Sequence, residues 1–252
     1  MKNRFCSFLA LFIFSFGFTQ EKVKLLMIGN SFTFYYNLPM TIEQFSKYKG
    51  LNWEVHQSTA GGASFKHHWN SEKGLNSVDK IKNNKYTHLI FQEYSSYPLT
   101  AIDTTQKYLN LMNKKANQNS KKFMYATWSY PDILKNNNSS TPPSRAIEDK
   151  LEKIRPSSDF DILPVGRAFD LFKLKYPNQT LFTSDNKHPN SIGSYLAACV
   201  IFSKISNQSS LGIPRRVFDK INNEKDIYYF IVEEEMARKC QLISDEIVFN
   251  SN

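Results

Sequence analysis

A chain of 252 residues with 41% hydrophobic and 14% aromatic content can bury one substantial core, and is short for two full domains. Its formal charge of +9 is spread over many lysines rather than gathered in a basic stripe, which argues against nucleic-acid binding and leaves a solvated surface with some preference for anionic polymers. Three cysteines are too few for a disulfide-built scaffold.

In chain order, Lys2 and Arg4 precede an apolar stretch from Phe8 to Phe18, and Glu21 and Lys22 follow it. That pattern reads as a signal peptide over residues 1–20, too short to span a bilayer comfortably. An uncleaved anchor stays open as the alternative, because no small-x-small cleavage site surrounds Thr19 and Gln20. Residues 21–252 are then expected to form one soluble domain, secreted or periplasmic, with a formal charge of +7 once Lys2 and Arg4 are removed. Cys199 and Cys240 would be its only thiols; they permit one disulfide, but Cys199 lies in the apolar run Tyr195 to Phe202, where a buried inert thiol is the simpler reading.

Runs rich in Val, Ile, Leu and aromatics predict strands at Val23 to Ile28, Trp53 to Gln57, His88 to Phe91, Lys122 to Thr127 and Asp161 to Val165. Between them, Ile42, Phe45 and Tyr48, then Leu109 and Met112, then Ile147, Leu151 and Ile154 fall at helical spacing. Strand alternating with helix is the pattern of a parallel sheet covered on both faces. Asn136 to Ser144 reads as an exposed loop. Asp226 to Phe249, with Ile231, Met236 and Leu242 among many charges, is expected to be a terminal amphipathic helix.

The chemistry gathers at strand ends. Gly29-Asn30-Ser31-Phe32 puts a serine on the turn leaving the first strand, in the crevice where open parallel sheets bind ligands, and near a helix N-terminus that favours an anion. By itself, a serine before a helix is usually only an N-cap. Thr183-Ser184-Asp185-Asn186-Lys187-His188-Pro189-Asn190 sets an Asp three residues before a His, so that the carboxylate can hold one ring nitrogen and leave the other for a hydroxyl. Its plain reading is a cap on the following helix. Gly61 and Gly62, after the second strand, allow a backbone N–H to approach an oxyanion closely, or make an ordinary turn. Gln92, ending the third strand in Phe91-Gln92-Glu93-Tyr94, offers an amide donor or merely caps the strand.

Gly-Asn-Ser-Phe near the start of the mature chain, a glycine after strand two and Asp-x-x-His-Pro near the C-terminus resemble blocks I, II and V of the SGNH, or GDSL-like, hydrolases. The resemblance runs from about Lys24 to Phe202. It implies a flavodoxin-like three-layer α/β/α sandwich with five parallel strands. It further implies Ser31 as nucleophile, His188 as base and then acid, and Asp185 as orienter, with an oxyanion hole from the Ser31 and Gly62 backbone N–H groups and a side-chain amide. The family usually takes that amide from Gly-x-Asn-Asp in block III. This chain has Gln92-Glu93-Tyr94-Ser95, similar to a bacterial branch with Gln-Glu there, and Gln92 is expected to supply it.

No cofactor is expected, since no glycine-rich phosphate fingerprint follows the first strand, and no metal, since His67 and His68 lack partners at ligand spacing and read as surface or crevice residues. Phe32, Phe34, Tyr35, Tyr36, Phe65 and Trp69 are expected to line the crevice, on faces that suit sugar rings or acyl chains. The resemblance and the compartment point to an esterase removing O-acetyl groups from a polysaccharide, with peptidoglycan among the candidates. A lysophospholipase or thioesterase, and a non-catalytic glycan-binding protein on a decayed hydrolase, are the alternatives. The partners expected are a small-molecule or polysaccharide ester, with no nucleic acid and no stable membrane insertion.

Overall fold

The computed structural model describes residues 22–83, 85–131, 133, 142–221 and 225–250. Residues 1–20, read above as a signal peptide, and most of the Asn136 to Ser144 loop lie outside them.

Five strands, β1 (Val23–Gly29), β2 (Trp53–Thr59), β3 (His88–Phe91), β4 (Lys121–Tyr125) and β5 (Asp161–Leu163), form one sheet in the order β2-β1-β3-β4-β5. Every pairing is parallel. Side chains alternate across such a sheet, and both faces here are apolar. Leu25, Met27, Ile90, Phe123 and Tyr125 point to one core; Leu26, Ile28, Leu89, Phe91 and Met124 point to the other. This accounts for the near-continuous apolar runs that marked the strands in the sequence.

The first core is closed by helices Leu38–Tyr48, Val165–Lys175, Ser191–Ser206 and Glu234–Phe249, and the second by Ser77–Asn83, Ile102–Asn113 and Pro143–Ser158 with the short Phe65–Trp69 helix. Helix Ser191–Ser206 buries every residue from Gly193 to Ser203, as a helix apolar all round must. Complete burial of each Leu, Ile or Phe side chain contributes about 1.5–3 kcal/mol. Cys199 and Cys240 are free thiols in this core, and burial pushes both above their ordinary range. This is a three-layer α/β/α sandwich.

The C-terminal expectation needs correction. Arg216–Ile221 (β6) and Lys225–Ile231 (β7) form an antiparallel hairpin outside the main sheet, and the last helix begins only at Glu234. The stretch Ile227-Tyr-Tyr-Phe-Ile231 is β-branched and aromatic, which favours strand. Of the three residues proposed for an apolar helix face, only Met236 is buried; Ile231 and Leu242 are exposed.

The strand order reverses beside β1: β2 lies on one side and β3 on the other. A crevice therefore opens at the carboxyl ends of β1 and β3.

Candidate active site

β1 delivers Ser31 to that crevice as the first residue of the one-turn helix Ser31–Phe34. The cap is Asn30, whose Oδ1 accepts the Phe32 N–H at 3.1 Å. Capping is thus assigned to the neighbouring asparagine, and Ser31 Oγ is left for another partner. That partner is His188, whose Nε2 stands 2.8 Å from Ser31 Oγ. His188 Nδ1 lies 2.5 Å from Asp185 Oδ2. A carboxylate only accepts, so the ring carries its proton on Nδ1 and accepts the serine hydroxyl at Nε2.

Asp185 does not cap the next helix either; Asn190 does, accepting the Gly193 N–H at 3.0 Å. The second Asp185 oxygen accepts the backbone N–H groups of Lys187 and His188, both at 2.9 Å, and the Thr183 hydroxyl at 2.8 Å. Burial works to raise this carboxyl, but the hydrogen bonds from the His188 ring, the two N–H groups and Thr183 outweigh it and hold it far below the usual carboxylate range. It stays ionised wherever the imidazole needs an anion.

The loop is fixed from behind by Trp128, which the sequence reading did not single out. Its indole lies between Phe32 and Phe169, with ring centroids at 4.6 and 4.3 Å, and its Nε1–H donates to the Lys187 carbonyl at 3.0 Å. Tyr35 stacks on the His188 ring at 4.4 Å and Phe32 meets it edge-on at 5.5 Å. Tyr36 and Asn37, both with left-handed φ near +50°, turn the chain after Tyr35. Such backbone costs about 1–3 kcal/mol per residue and clusters at functional sites. The crevice aromatics therefore divide: Phe32 and Phe65 belong to the buried cores, while Tyr35 and the exposed Tyr36 lie at the rim, Tyr36 edge-on to Phe230 of the hairpin at 5.8 Å.

Gln92 corrects the expectation of a side-chain oxyanion donor. It is wholly buried beneath the turn that carries Ser31. Its Oε1 accepts the Asn30 N–H at 2.9 Å and the Thr33 hydroxyl at 3.0 Å, and its Nε2 donates to the Glu93 carbonyl. The amide is a brace for the turn, and the additional methylene relative to asparagine lets it reach under the chain. The fit also explains Gly29, where a Cβ would come within 2.3 Å of Thr33 Oγ1 and 2.7 Å of Gln92 Oε1.

Gly62 adopts φ +61° in the exposed turn after β2, closed by the Ala63 N–H donating to the Ala60 carbonyl at 3.1 Å. The left-handed backbone is the reason for glycine there. Asn30 Nδ2 donates to the Ala63 carbonyl at 3.0 Å and so joins this turn to that of Ser31.

His68 is a further correction. Far from lying at the surface, it is fully buried: Nε2 donates to the Gly29 carbonyl at 3.1 Å, and Nδ1 lies 2.6 Å from Ser77 Oγ, itself 2.8 Å from Ser58 Oγ. Burial lowers its pKa to about 4, so the ring is neutral. His67, half-buried, bonds to Ser64.

Neither a protein-family model nor a curated protein sequence matches the chain. Among solved structures, a DUF4886-family protein from Bacteroides uniformis superposes with a TM-score of 0.72 over 92% of this chain and 97% of its own, at 17% identity. A protein of Slackia heliotrinireducens proposed to be an SGNH hydrolase gives 0.58 over 73% and 100%, at 20% identity. An acetyl xylan esterase gives 0.57 over 72% and 98%, at 16% identity. The chain has the fold of the SGNH, GDSL-like hydrolases.

Proposed function

We propose that the chain is a secreted serine esterase that removes O-acetyl groups from a polysaccharide, with Ser31, His188 and Asp185 as its catalytic triad. The observation that carries this reading is the unbroken chain from Asp185 Oδ2 through the imidazole to Ser31 Oγ, at 2.5 and 2.8 Å. Ser31 Oγ attacks the ester carbonyl carbon while His188 Nε2 takes its proton, and Asp185 stabilises the imidazolium. The Ser31 and Gly62 N–H groups receive the negative oxygen of the tetrahedral intermediate. The intermediate collapses as His188 returns the proton to the departing sugar hydroxyl, leaving acetyl-Ser31. Water then attacks with His188 again as base, and acetate leaves.

The polysaccharide substrate is supported by the fold shared with an acetyl xylan esterase and by the rim of Tyr35 and Tyr36, aromatic faces of the kind on which sugar rings stack. Export is supported by the apolar stretch Phe8 to Phe18 behind Lys2 and Arg4.

The test is release of p-nitrophenol from its acetate, butyrate and octanoate by residues 21–252, beside Ser31→Ala and His188→Ala. Activity greatest on acetate and abolished in both variants is expected. Activity rising with chain length would move the reading to lipid or thioester substrates. No activity above the variants on any of these esters or on acetylated xylan would favour the glycan-binding alternative that the altered block III motivates.

A further inference from the structure

Glu93 is a buried titratable group that the triad leaves unused. It stands two residues after the end of β3 and is 3% exposed. Its Oε1 accepts two backbone N–H groups, from Phe65 at 2.9 Å and from Tyr94 at 2.6 Å. Its own carbonyl accepts Asn30 Nδ2 at 3.4 Å and the Gln92 amide. Oε2 is buried and makes no well-formed hydrogen bond, with the equally buried Thr105 hydroxyl near enough to stabilise the carboxylate. Burial pushes the carboxyl up to about 7, against the N–H groups of Tyr94 and Phe65 and the Thr105 hydroxyl.

A carboxyl buried this deeply is costly, and its contacts show what that cost secures. Phe65 opens the short helix that follows Ala60–Ser64, the segment holding Gly62. The segment is tied to the nucleophile turn through Asn30 on the Ala63 carbonyl, and its helix to β1 through His68 on the Gly29 carbonyl. Glu93 closes the frame between them: one side chain grips the loop after β2 and the segment after β3, while its backbone holds the residue before Ser31.

We infer that Glu93 is a positioning residue whose carboxyl holds the Ala60–Phe65 loop, and with it the Gly62 N–H, in register with Ser31. The inference rests on the reading of Ser31 and Gly62 as oxyanion donors, and gives the unusual Gln92-Glu93 pair a role. Gln92 braces the nucleophile turn from below and Glu93 braces the oxyanion loop. Neither side chain contacts substrate.

The test uses Glu93→Gln and Glu93→Ala, each checked for a cooperative thermal transition, with two readouts: kcat and KM on p-nitrophenyl acetate, and hydrogen exchange over residues 60–65. Glutamine keeps an Oε1 acceptor for both N–H groups, so Glu93→Gln is expected within about threefold of wild-type kcat, whereas Glu93→Ala loses about ten- to a hundredfold in kcat at unchanged KM, as small misplacements at a site do. Exchange at the Ala63 and Phe65 amides is expected to accelerate in Glu93→Ala alone. A folded Glu93→Ala with wild-type kcat, or an equal loss in both variants, would overturn the inference. The exchange arm needs no turnover. Acceleration in Glu93→Ala of a protein inactive on every ester would sustain the brace and overturn the esterase reading, whereas unchanged exchange would overturn the brace in an active enzyme.

Discussion

Ser31 and His188 meet across 157 positions of chain, Oγ to Nε2 at 2.8 Å. The contact exists because β1 ends at the point where the strand order reverses, and because the loop before helix Ser191–Ser206 returns to the same sheet edge. Asn30 and Asn190 cap the two helices concerned, which leaves Ser31 and Asp185 to meet opposite nitrogens of the one His188 ring.

Asp185→Asn should leave the fold intact and lower kcat by about four orders of magnitude, because an amide stabilises the imidazolium poorly and favours the wrong tautomer. Steady-state kinetics on p-nitrophenyl acetate checks this. A loss under tenfold would mean that the carboxylate is dispensable.

Trp128→Phe keeps an aromatic ring in the stack and deletes the indole N–H that holds the Lys187 carbonyl. A stability loss of about 1 kcal/mol is expected from the hydrogen bond lost by a part-buried acceptor, with a reduced kcat. Urea unfolding and kinetics measure both. Unchanged stability would show that water replaces the indole without cost.

His68 sets an acid limit on the fold. Its pKa falls from 6.5 to about 4 on folding, so below pH 6.5 the unfolded chain binds the proton that the folded chain refuses. Its contribution is fully present above that pH and is lost as pH falls toward 4. His68→Gln should be less stable at pH 7, and its stability should fall less steeply between pH 6.5 and 4, read by thermal unfolding at stepped pH. A wild-type slope in the variant would assign the acid sensitivity elsewhere; His88, also lowered to about 4 by burial, is the next residue to change.

Tyr36→Ala removes an exposed ring at the rim. Turnover of p-nitrophenyl acetate should stay within about twofold of wild type, while kcat/KM on an acetylated polysaccharide falls by about three- to tenfold, the worth of one aromatic stacking contact. Equal effects on both substrates would remove Tyr36 from polymer recognition.

The sheet was legible in the sequence because its strands are buried on both faces and read as short apolar runs; Val23, Trp53 and His88 begin strands where the sequence reading began them. That Ser31, Asp185 and His188 come together was legible because each stands in a compact motif beside a strand or helix end. The hairpin at β6 and β7 was not, since charged residues mask its alternation and its neighbour Glu234–Phe249 is a true helix. Gln92 was placed at the correct strand end with the wrong direction of action: from sequence an amide offers donor and acceptor alike, and only the packing of Gly29 and Thr33 against its oxygen decides between them. Trp128, His68 and Glu93 act through single backbone contacts to distant segments, which carry no local signature.

The most direct test of the central claim is to treat residues 21–252 with a fluorophosphonate and locate the adduct by peptide mass spectrometry. One adduct is expected, on Ser31, formed rapidly in the wild type and suppressed in His188→Ala. An unmodified Ser31, or equal labelling in the His188→Ala protein, would contradict it.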